Sequence, residues 1–279
     1  MIEYLSYSQY NTYTNCPRSW YLSKIRKAEE KQTWYIPVGS AVHNMIEDYL
    51  DPDVGPTLVT PERADTYFFP LIAKQRLIEP DTSRWLAGGP KASPVIEEKA
   101  LQLVKDCFER ALEELEDIDV WEVEYDASGR LPGLSVPLKA YVDLIGEHKK
   151  KGPVILDWKT GSTKPGNFQL ETYAVLLAKP DHFWNLTDKR PLSFKGRYVM
   201  LAPGASSTRY VNLSEVSPEA VGMKYQAVYD QMQAKIYKAN AGFNCRFCFN
   251  QENCLANAGP LPTKRAIYYD RSEKDGIPF

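Results

Sequence analysis

The sequence predicts an α/β fold in which a central sheet is flanked by helices. Three observations indicate this class. Apolar residues recur at helical spacing in the first part of the chain, strand-like segments fill the middle, and a helical segment lies between two of the strands. The chain has 279 residues, which is enough for one large domain or two small ones.

The N-terminal region is predicted to be helical. Aromatic residues distributed along residues 6–28 favour a helix, and Pro17 is expected to break it because proline has no backbone N–H. Residues 38–50 are predicted to form a second helix, with Val42 and Ile46 on one face. Both helices therefore precede the predicted sheet.

An irregular insertion is predicted to follow these helices. Residues 51–92 are rich in Pro, Asp and Gly, and only a patch near residues 62–78 has helical character. Ser93 followed by Pro94 is typical of a helix start, because serine caps the first turn and proline fits within it. A long helix is therefore expected to lead into the sheet.

The sheet and its remaining helices are predicted from residue 119 onward. The predicted strands are 119–126, 134–147, 153–159, 194–202 and 207–213, and the predicted helices are 167–178 and 217–238. The expected organisation is an N-terminal helical region at 1–118, a core at 119–240 and a cysteine-rich segment at 241–279. We expect these three segments to pack as one compact unit.

Composition and charge restrict the function. Apolar residues make up 43% of the chain and charged residues 25%, as in a soluble globular protein, and the net charge is −2. A surface that binds nucleic acid must therefore be local. No apolar stretch is long enough to cross a bilayer, and the N-terminus lacks the features of a signal peptide, so a cytoplasmic location without membrane contact is expected.

The most informative pattern lies in the strands predicted at 134–147 and 153–159. If they form an antiparallel hairpin turning near residue 150, Asp143 lies opposite Asp157, with Lys159 on the same face. The opposite face is predicted to be wholly apolar and to carry Val142, Leu144, Val154, Leu156 and Trp158. Two opposed carboxylates destabilise a sheet unless a cation lies between them, and Mg²⁺ prefers such oxygen ligands. A neighbouring lysine can assist the attacking water or stabilise charge on a phosphate.

A simpler interpretation of this hairpin stays open at this point. The strands could form a surface hairpin with ordinary acids, and a register slip of one residue would put the two acids on opposite faces. The interpretation of the hairpin is decided by three sequence segments, one in the hairpin and two outside it, that together match the motifs of a known family. They are Asp143 with Asp157-Trp-Lys159-Thr-Gly161, Gly39-Ser-Ala-Val-His43-Asn-Met-Ile-Glu47 upstream, and Gln169-Leu-Glu-Thr-Tyr173 downstream.

Taken in order, these segments resemble the D…(D/E)-x-K, G-x-x-x-H-x-x-x-E and Q-x-x-x-Y motifs of PD-(D/E)xK nucleases of the RecB-like branch. The resemblance extends from about residue 6 to about residue 256 and leaves 51–92 unmatched. The sequence departs from the short motif in two ways, because Val142 replaces its proline and the second acid is Asp157 rather than Glu. Glu122 or Glu124 is a candidate for an additional carboxylate, without a basis for choosing between them.

The resemblance implies a restriction-endonuclease-like core with a central mixed sheet, and a Mg²⁺- or Mn²⁺-dependent deoxyribonuclease. It implies a single-strand DNA exonuclease in recombination, repair or phage DNA processing, with a helicase or repair protein as a possible partner. The implied metal ligands are His43, Asp143, Asp157 and the Trp158 carbonyl, the implied catalytic residues are Asp143, Asp157 and Lys159, and the implied substrate-binding residues are Gln169 and Tyr173.

The cysteines suggest a second centre. Five cysteines in a reducing compartment are better candidates for metal ligands than for disulfides. Cys245, Cys248 and Cys254 provide three ligands, and Cys16 within Cys16-Pro-Arg-Ser-Trp20 is the candidate for the fourth. The segment around Cys16 resembles the start of iron–sulfur members of this nuclease group, which include the AddB nuclease domain and the CRISPR spacer-acquisition nucleases. A structural 4Fe–4S cluster that staples the chain ends is therefore implied, with Zn²⁺ as the alternative.

Two other interpretations are retained. The chain could be a non-catalytic DNA-binding or assembly subunit built on a nuclease fold, although its acids and lysine are all present. It could also be a zinc-stapled structural protein in which the acids are coincidental. Finally, Ile277, Pro278 and Phe279 resemble the tip of single-stranded-DNA-binding proteins, which is a weak indication of a repair partner.

Overall fold

The computed structural model describes residues 2–86, 96–161, 163–178 and 193–254. The helices are α1 (Tyr7–Asn15), α2 (Pro17–Lys24), α3 (Tyr35–Leu50), α4 (Ala64–Ile78), α5 (Ile96–Leu115), α6 (Phe168–Leu177) and α7 (Pro218–Gln233). The strands are β1 (Leu5–Ser6), β2 (Ile118–Asp126), β3 (Leu138–Lys139), β4 (Tyr141–His148), β5 (Gly152–Lys159), β6 (Lys195–Met200) and β7 (Val211–Asn212). Short 3-10 helices cover Pro61–Arg63, Thr82–Arg84 and Phe243–Phe247.

The central sheet is mixed, as the sequence predicts. Its five strands lie in the order β2-β4-β5-β6-β7, and only the β5–β6 pair within it is parallel. A crossover through α6 connects this pair, as parallel neighbours require. Leu144 pairs with Leu156, so the predicted hairpin register is correct.

Hydrophobic cores cover both faces of the sheet. The first core contains Ile145 and Ile155 together with side chains of α1, α2, α6 and α7. The second core contains Leu144, Leu156 and Trp158 together with side chains of α3, α4 and α5. The alternation of β4 and β5 therefore supplies both cores, and the hairpin lies at the centre of the molecule rather than at its surface.

Several predicted elements differ from the structure. The segment 51–92 contains the 15-residue helix α4, which buries Ala64, Phe68 and Ile72 in the second core. The helical patch predicted near residues 62–78 is therefore confirmed, although it is a long, partly buried helix rather than a short patch in an irregular insertion. The strand predicted at 134–147 begins as the short β3 and continues as β4, so the residues before Leu138 form turns.

One other difference concerns a single residue, and one prediction cannot be compared with the described residues. Val142 belongs to the first core, whereas the prediction put it with Leu144 on the opposite face. The helix start predicted at Ser93 and Pro94 lies outside the described residues. No helix in the described part of the chain has the length and hydropathy needed to span a membrane.

The segment after α7 packs against the N-terminal helices. Asn250 is buried and donates hydrogen bonds to the Ser23 hydroxyl at 2.8 Å and to the Ser19 carbonyl at 3.4 Å. The Lys31 N–H donates to the Phe249 carbonyl at 2.8 Å. The two ends of the described chain are therefore held together by polar contacts.

Candidate active site

Three carboxylates lie in a row across adjacent strands, and they are called the acid row below. The row consists of Glu124 on β2, Asp143 on β4 and Asp157 on β5. The β2–β4 pairs on either side set Glu124 opposite Asp143, and the β4–β5 register, continued by one residue past Leu144 and Leu156, sets Asp143 opposite Asp157. On the next strand, Asp157 pairs with Tyr198. The strand register thus places the three carboxylates side by side.

Glu124 joins the row through an irregular edge strand. The β2–β4 register shifts between Val120 and Glu122, and Glu124 adopts a φ of 46°, in the left-handed region. A non-glycine residue there costs on the order of 1–3 kcal/mol and persists where the surroundings impose it. Sequence periodicity gives no sign of such a shift, which is why it could not distinguish Glu122 from Glu124.

His43 projects from α3 toward the acid row. Its Nδ1 is 3.2 Å from Glu124 Oε1 and 3.9 Å from Asp143 Oδ1. Ligand atoms of these three residues all lie within 4.8 Å of one another, so together they could hold a metal ion. Burial lowers the pKa of His43, but the hydrogen bond with Glu124 and the charge of Asp143 outweigh it and raise this pKa to about 9.

The two aspartates are buried and already partly hydrogen-bonded. Asp143 keeps 8% of its surface exposed and Asp157 none. Asp143 Oδ2 accepts the Trp158 N–H at 2.7 Å, while Oδ1 faces His43. Burial first, and the charge of Asp157 second, raise the pKa of Asp143 to about 7. Closely spaced acids in a buried site bind a proton or a metal ion far more readily than exposed acids do.

Lys159 neutralises the other end of the row. Its ammonium forms an ion pair with Asp157 Oδ2 and lies 5.6 Å from the centre of the Tyr198 ring. Burial lowers the pKa of Lys159, but the charges of Asp157 and Asp143 raise it by a larger amount, so the net shift of the pKa is upward. The lysine is therefore cationic and is held beside the buried carboxylates.

Helix α6 completes the site. Gln169 Nε2 donates to the Tyr173 hydroxyl at 2.7 Å, and that hydroxyl donates to Asp157 Oδ1 at 3.4 Å. Burial and the charge of Asp157 raise the pKa of Tyr173 well above its usual value, so the phenol stays neutral and can donate. Gln169 and Tyr173 thus form a hydrogen-bonded chain that ends on Asp157.

The comparison with protein families agrees with this arrangement. A family profile described as the PD-(D/E)XK nuclease superfamily matches residues 4–254. The chain belongs to the PD-(D/E)XK nuclease superfamily. The match includes α3, the acid row, Lys159 and the described cysteines, so this nuclease carries its candidate site within the shared part of the chain.

Two solved structures are distantly similar to this chain. A protein from Eubacterium rectale assigned as an exonuclease is 11% identical, with 84% of this chain and 83% of that chain covered and a TM-score of 0.43. A protein named SSO0001 is 14% identical, with 80% of this chain and 96% of that chain covered and a TM-score of 0.35. Neither similarity is close enough to carry an argument about function. The search of curated proteins found no match.

The nuclease therefore brings the predicted site residues together in one place. His43, Asp143, Asp157 and Lys159 share contacts, and Gln169 and Tyr173 reach the row through Asp157. The N–H of Trp158 is used by Asp143, whereas the predicted ligand role of the Trp158 carbonyl stays a prediction. Their roles in catalysis are taken up as a proposal below.

Four cysteines line one cavity, called the cysteine cavity below. It lies between the α1–α2 junction and the segment after α7, and its lining includes Ser19 and Asn250. The cysteines are Cys16, Cys245, Cys248 and Cys254. The fifth, Cys107, is fully buried in the second core, and burial raises its pKa to about 12, as expected for a packing thiol.

Polar donors surround the sulfur atoms of the cysteine cavity. The Asn240 N–H donates to Cys16 Sγ and the Gly242 N–H to Cys245 Sγ, each at 3.4 Å. The Ser19 hydroxyl lies 3.5 Å from Cys248 Sγ. Such donors stabilise sulfur that carries negative charge, and ligating thiolates commonly have them.

The remaining predicted features lie away from the site or beyond the description. The Lys149–Lys151 run occupies the β4–β5 turn, about 20 Å along the strand from Asp143. It is therefore remote from the acid row. Ile277, Pro278 and Phe279 lie outside the described residues.

Proposed function

We propose that this chain is a Mg²⁺- or Mn²⁺-dependent deoxyribonuclease of the RecB-like branch. The observation that carries the proposal is the acid row with His43 at one end and Lys159 at the other. Buried carboxylates and an imidazole converging within one site are a ligand set for a divalent cation. An adjacent lysine adds a positive charge where a phosphate would lie.

The residues present fit a divalent ion. His43, Glu124 and Asp143 offer ligand atoms close to one another, and Asp157 adjoins them through the Asp143 pairing. When bound, a divalent cation neutralises charge on the phosphate and makes a water molecule a better nucleophile. A metal ion held there would require His43 to give up its proton, because a ligating imidazole must be neutral.

The other side chains act on the substrate and on the ligands. Lys159 donates a hydrogen bond to a phosphate oxygen or orients the attacking water, and in doing so it leaves Asp157 available as a ligand. Tyr173, held by Gln169, keeps Asp157 in the required rotamer. The expected products carry 5′-phosphates.

For the substrate, we propose single-stranded DNA and exonuclease action, in recombination, repair or phage DNA processing alongside a helicase or repair partner. The support for this finer assignment is the motif resemblance described above. The tip at Ile277, Pro278 and Phe279 is a weak indication of such a partner.

For the cysteine cavity, we propose a structural 4Fe–4S cluster. Four cysteines around one cavity form a ligand set that suits either a 4Fe–4S cluster or Zn²⁺. The support for the cluster over zinc is the resemblance of the segment around Cys16 to iron–sulfur members of this nuclease group.

The decisive experiment is cleavage of end-labelled single- and double-stranded DNA by anaerobically purified protein, with Mg²⁺ or Mn²⁺. Asp157→Ala and Lys159→Ala are expected to lower the rate at least about 100-fold. Lys150→Ala, an exposed lysine at the far end of the same hairpin, serves as the control. Inert wild-type protein with a loaded cysteine cavity would favour the non-catalytic subunit, and metal analysis separates iron from zinc.

A further inference from the structure

The segment after α7 exposes aromatic rings beside positive charge. Phe243 keeps 65% of its surface exposed and Phe247 keeps 44%. Their ring centroids are 5.7 Å apart, and the Arg246 guanidinium lies 4.3 Å from the centre of the Phe243 ring. Neither phenylalanine belongs to a core cluster in the described part of the chain. Contiguous exposed apolar patches often mark binding sites, whereas isolated exposed apolar side chains do not, and these two rings adjoin one another.

The sequence segment that carries these rings is positively charged although the whole chain is slightly negative. Residues 231–251 contain no Asp or Glu, and they carry Lys235, Lys238 and Arg246, all exposed. The next acid along the chain, Glu252, forms ion pairs with Lys31 at 3.2 Å and with Arg84 at 3.7 Å. The acid that follows Phe243, Arg246 and Phe247 in the sequence is therefore already paired with other cations.

This surface is connected to the candidate active site by α1. At the start of the helix, the Tyr7 ring lies 6.3 Å from Phe168, the residue before Gln169. At its end, Cys16 Sγ accepts the Asn240 N–H, and Asn240 lines the cysteine cavity. A nine-residue helix is about 13 Å long, which is roughly the length of four stacked nucleotides of one strand.

We propose that Phe243, Arg246 and Phe247 form an aromatic platform on which unpaired bases of a single-stranded nucleic acid stack. Exposed rings interleaved with cations are the recognition chemistry of sequence-tolerant single-strand binding, since every base has a face that stacks. The bases of a duplex are already stacked and do not need such a surface. The inference deepens the proposed function, on which it rests for the identity of the polymer.

The test is the affinity for a fluorescein-labelled 20-nucleotide oligo-dT, measured by anisotropy without added Mg²⁺ or Mn²⁺, with the full-length protein loaded with metal at the cysteine cavity. Phe243→Ala and Phe247→Ala are each expected to weaken binding about 10-fold. Phe243→Trp, which keeps a ring, restores it. Phe69→Ala removes a matched exposed ring on α4 and is expected to stay within twofold of wild type. Arg246→Gln reduces the salt slope by about 0.7.

The outcomes separate this inference from the proposed function. If the wild type cleaves DNA but the Phe243→Ala and Phe247→Ala variants bind oligo-dT within twofold of wild type, the platform is overturned. The proposed nuclease function is not affected by that outcome. If the wild type cleaves no DNA and both variants lose oligo-dT binding, the platform is supported and the proposed nuclease function is contradicted. An equal loss of duplex binding overturns stacking, as does failure of the tryptophan to restore affinity. Unchanged metal content and melting temperature in each variant exclude a collapsed cysteine cavity.

Discussion

The acid row and the cysteine cavity are two candidate ligand sets that the fold assembles in opposite ways. Asp143, Asp157 and Lys159 come from one hairpin at the centre of the sheet, where backbone ladders fix their positions. The cysteines come from both ends of the described chain and meet between a helix junction and irregular segments. A ladder does not depend on any one side chain, whereas the cavity is held by few backbone contacts. Losing a ligand of the acid row should therefore lower the rate of DNA cleavage, whereas losing a ligand of the cysteine cavity should lower the stability of the fold.

The largest expected effect tests the first half of this comparison. Asp143→Asn should lower the rate of DNA cleavage by about 10²–10³-fold while leaving the protein folded. Because burial and Asp157 raise the pKa of Asp143 to about 7, its charged form destabilises the folded state by up to about 4 kcal/mol. In EDTA the wild type should therefore lose stability as the pH rises from about 4 to 7, and the variant should lose less. Chemical denaturation of both proteins between about pH 4 and pH 7 measures this difference in the free energy of unfolding.

Asp119→Asn is the control for that measurement, since Asp119 is an exposed acid on β2 outside the acid row. A variant that unfolds, or that cuts DNA like wild type, would contradict the account of Asp143.

The second half of the comparison predicts a loss of stability. Cys16→Ala should release the bound metal and destabilise the protein by several kcal/mol, because the ligands close a loop that spans most of the chain. Cys107→Ala leaves only a small cavity in the second core and should cost about 1–2 kcal/mol with the metal retained. Metal content and thermal melting of the two variants decide the matter. Equal metal content in both would remove Cys16 from the ligand set.

His43 gives a smaller effect that sharpens the description of the acid row. Its pKa is raised from 6.5 to about 9, so it contributes stability fully below pH 6.5, and this is lost as the pH rises through about 9. Its side chain is 29% exposed, so solvent screening reduces the contribution to roughly 1–3 kcal/mol. In EDTA, His43→Gln should flatten the stability profile between these pH values. A profile parallel to that of wild type would show that His43 is not protonated beside Glu124.

The smallest effect concerns the donors around the sulfur atoms. Ser19→Ala removes the hydroxyl 3.5 Å from Cys248 Sγ without removing a ligand. One hydrogen bond of about 1 kcal/mol corresponds to roughly 40 mV for a one-electron couple, so the midpoint potential should fall by about that amount. Ser23→Ala, which loses a contact to Asn250 rather than to sulfur, is the control in the same titration. A zinc protein would show no couple at all.

The sequence predicted the parts of the site that depend on local periodicity. The opposition of Asp143 and Asp157 follows from strand alternation around one short turn, and the observed register agrees with it. The strands and the flanking helices were also predicted from local patterns, whereas the mixed pairing of the sheet was implied only by the family resemblance.

What the sequence could not predict depends on contacts between distant residues. Glu124 reaches the row because the β2–β4 register shifts and its backbone turns left-handed, which only the packed sheet imposes. The helical patch near residues 62–78 was predicted, but its place in the second core was not, because the Pro- and Gly-rich flanks gave no sign that Phe68 and Ile72 are buried. The aromatic platform has no helical or strand periodicity, so exposure alone identifies it.

The β4–β5 ladder ends at Leu144 and Leu156, while β5 stays paired with β6 as far as Lys159. Just past that end, the Trp158 N–H is held by the Asp143 carboxylate instead of by a neighbouring strand. The exchange rate of this one amide hydrogen therefore depends on an ionisable side chain. The hydrogen-exchange rate of the Trp158 amide would therefore show whether the Asp143 carboxyl is ionised, protonated or bound to another group.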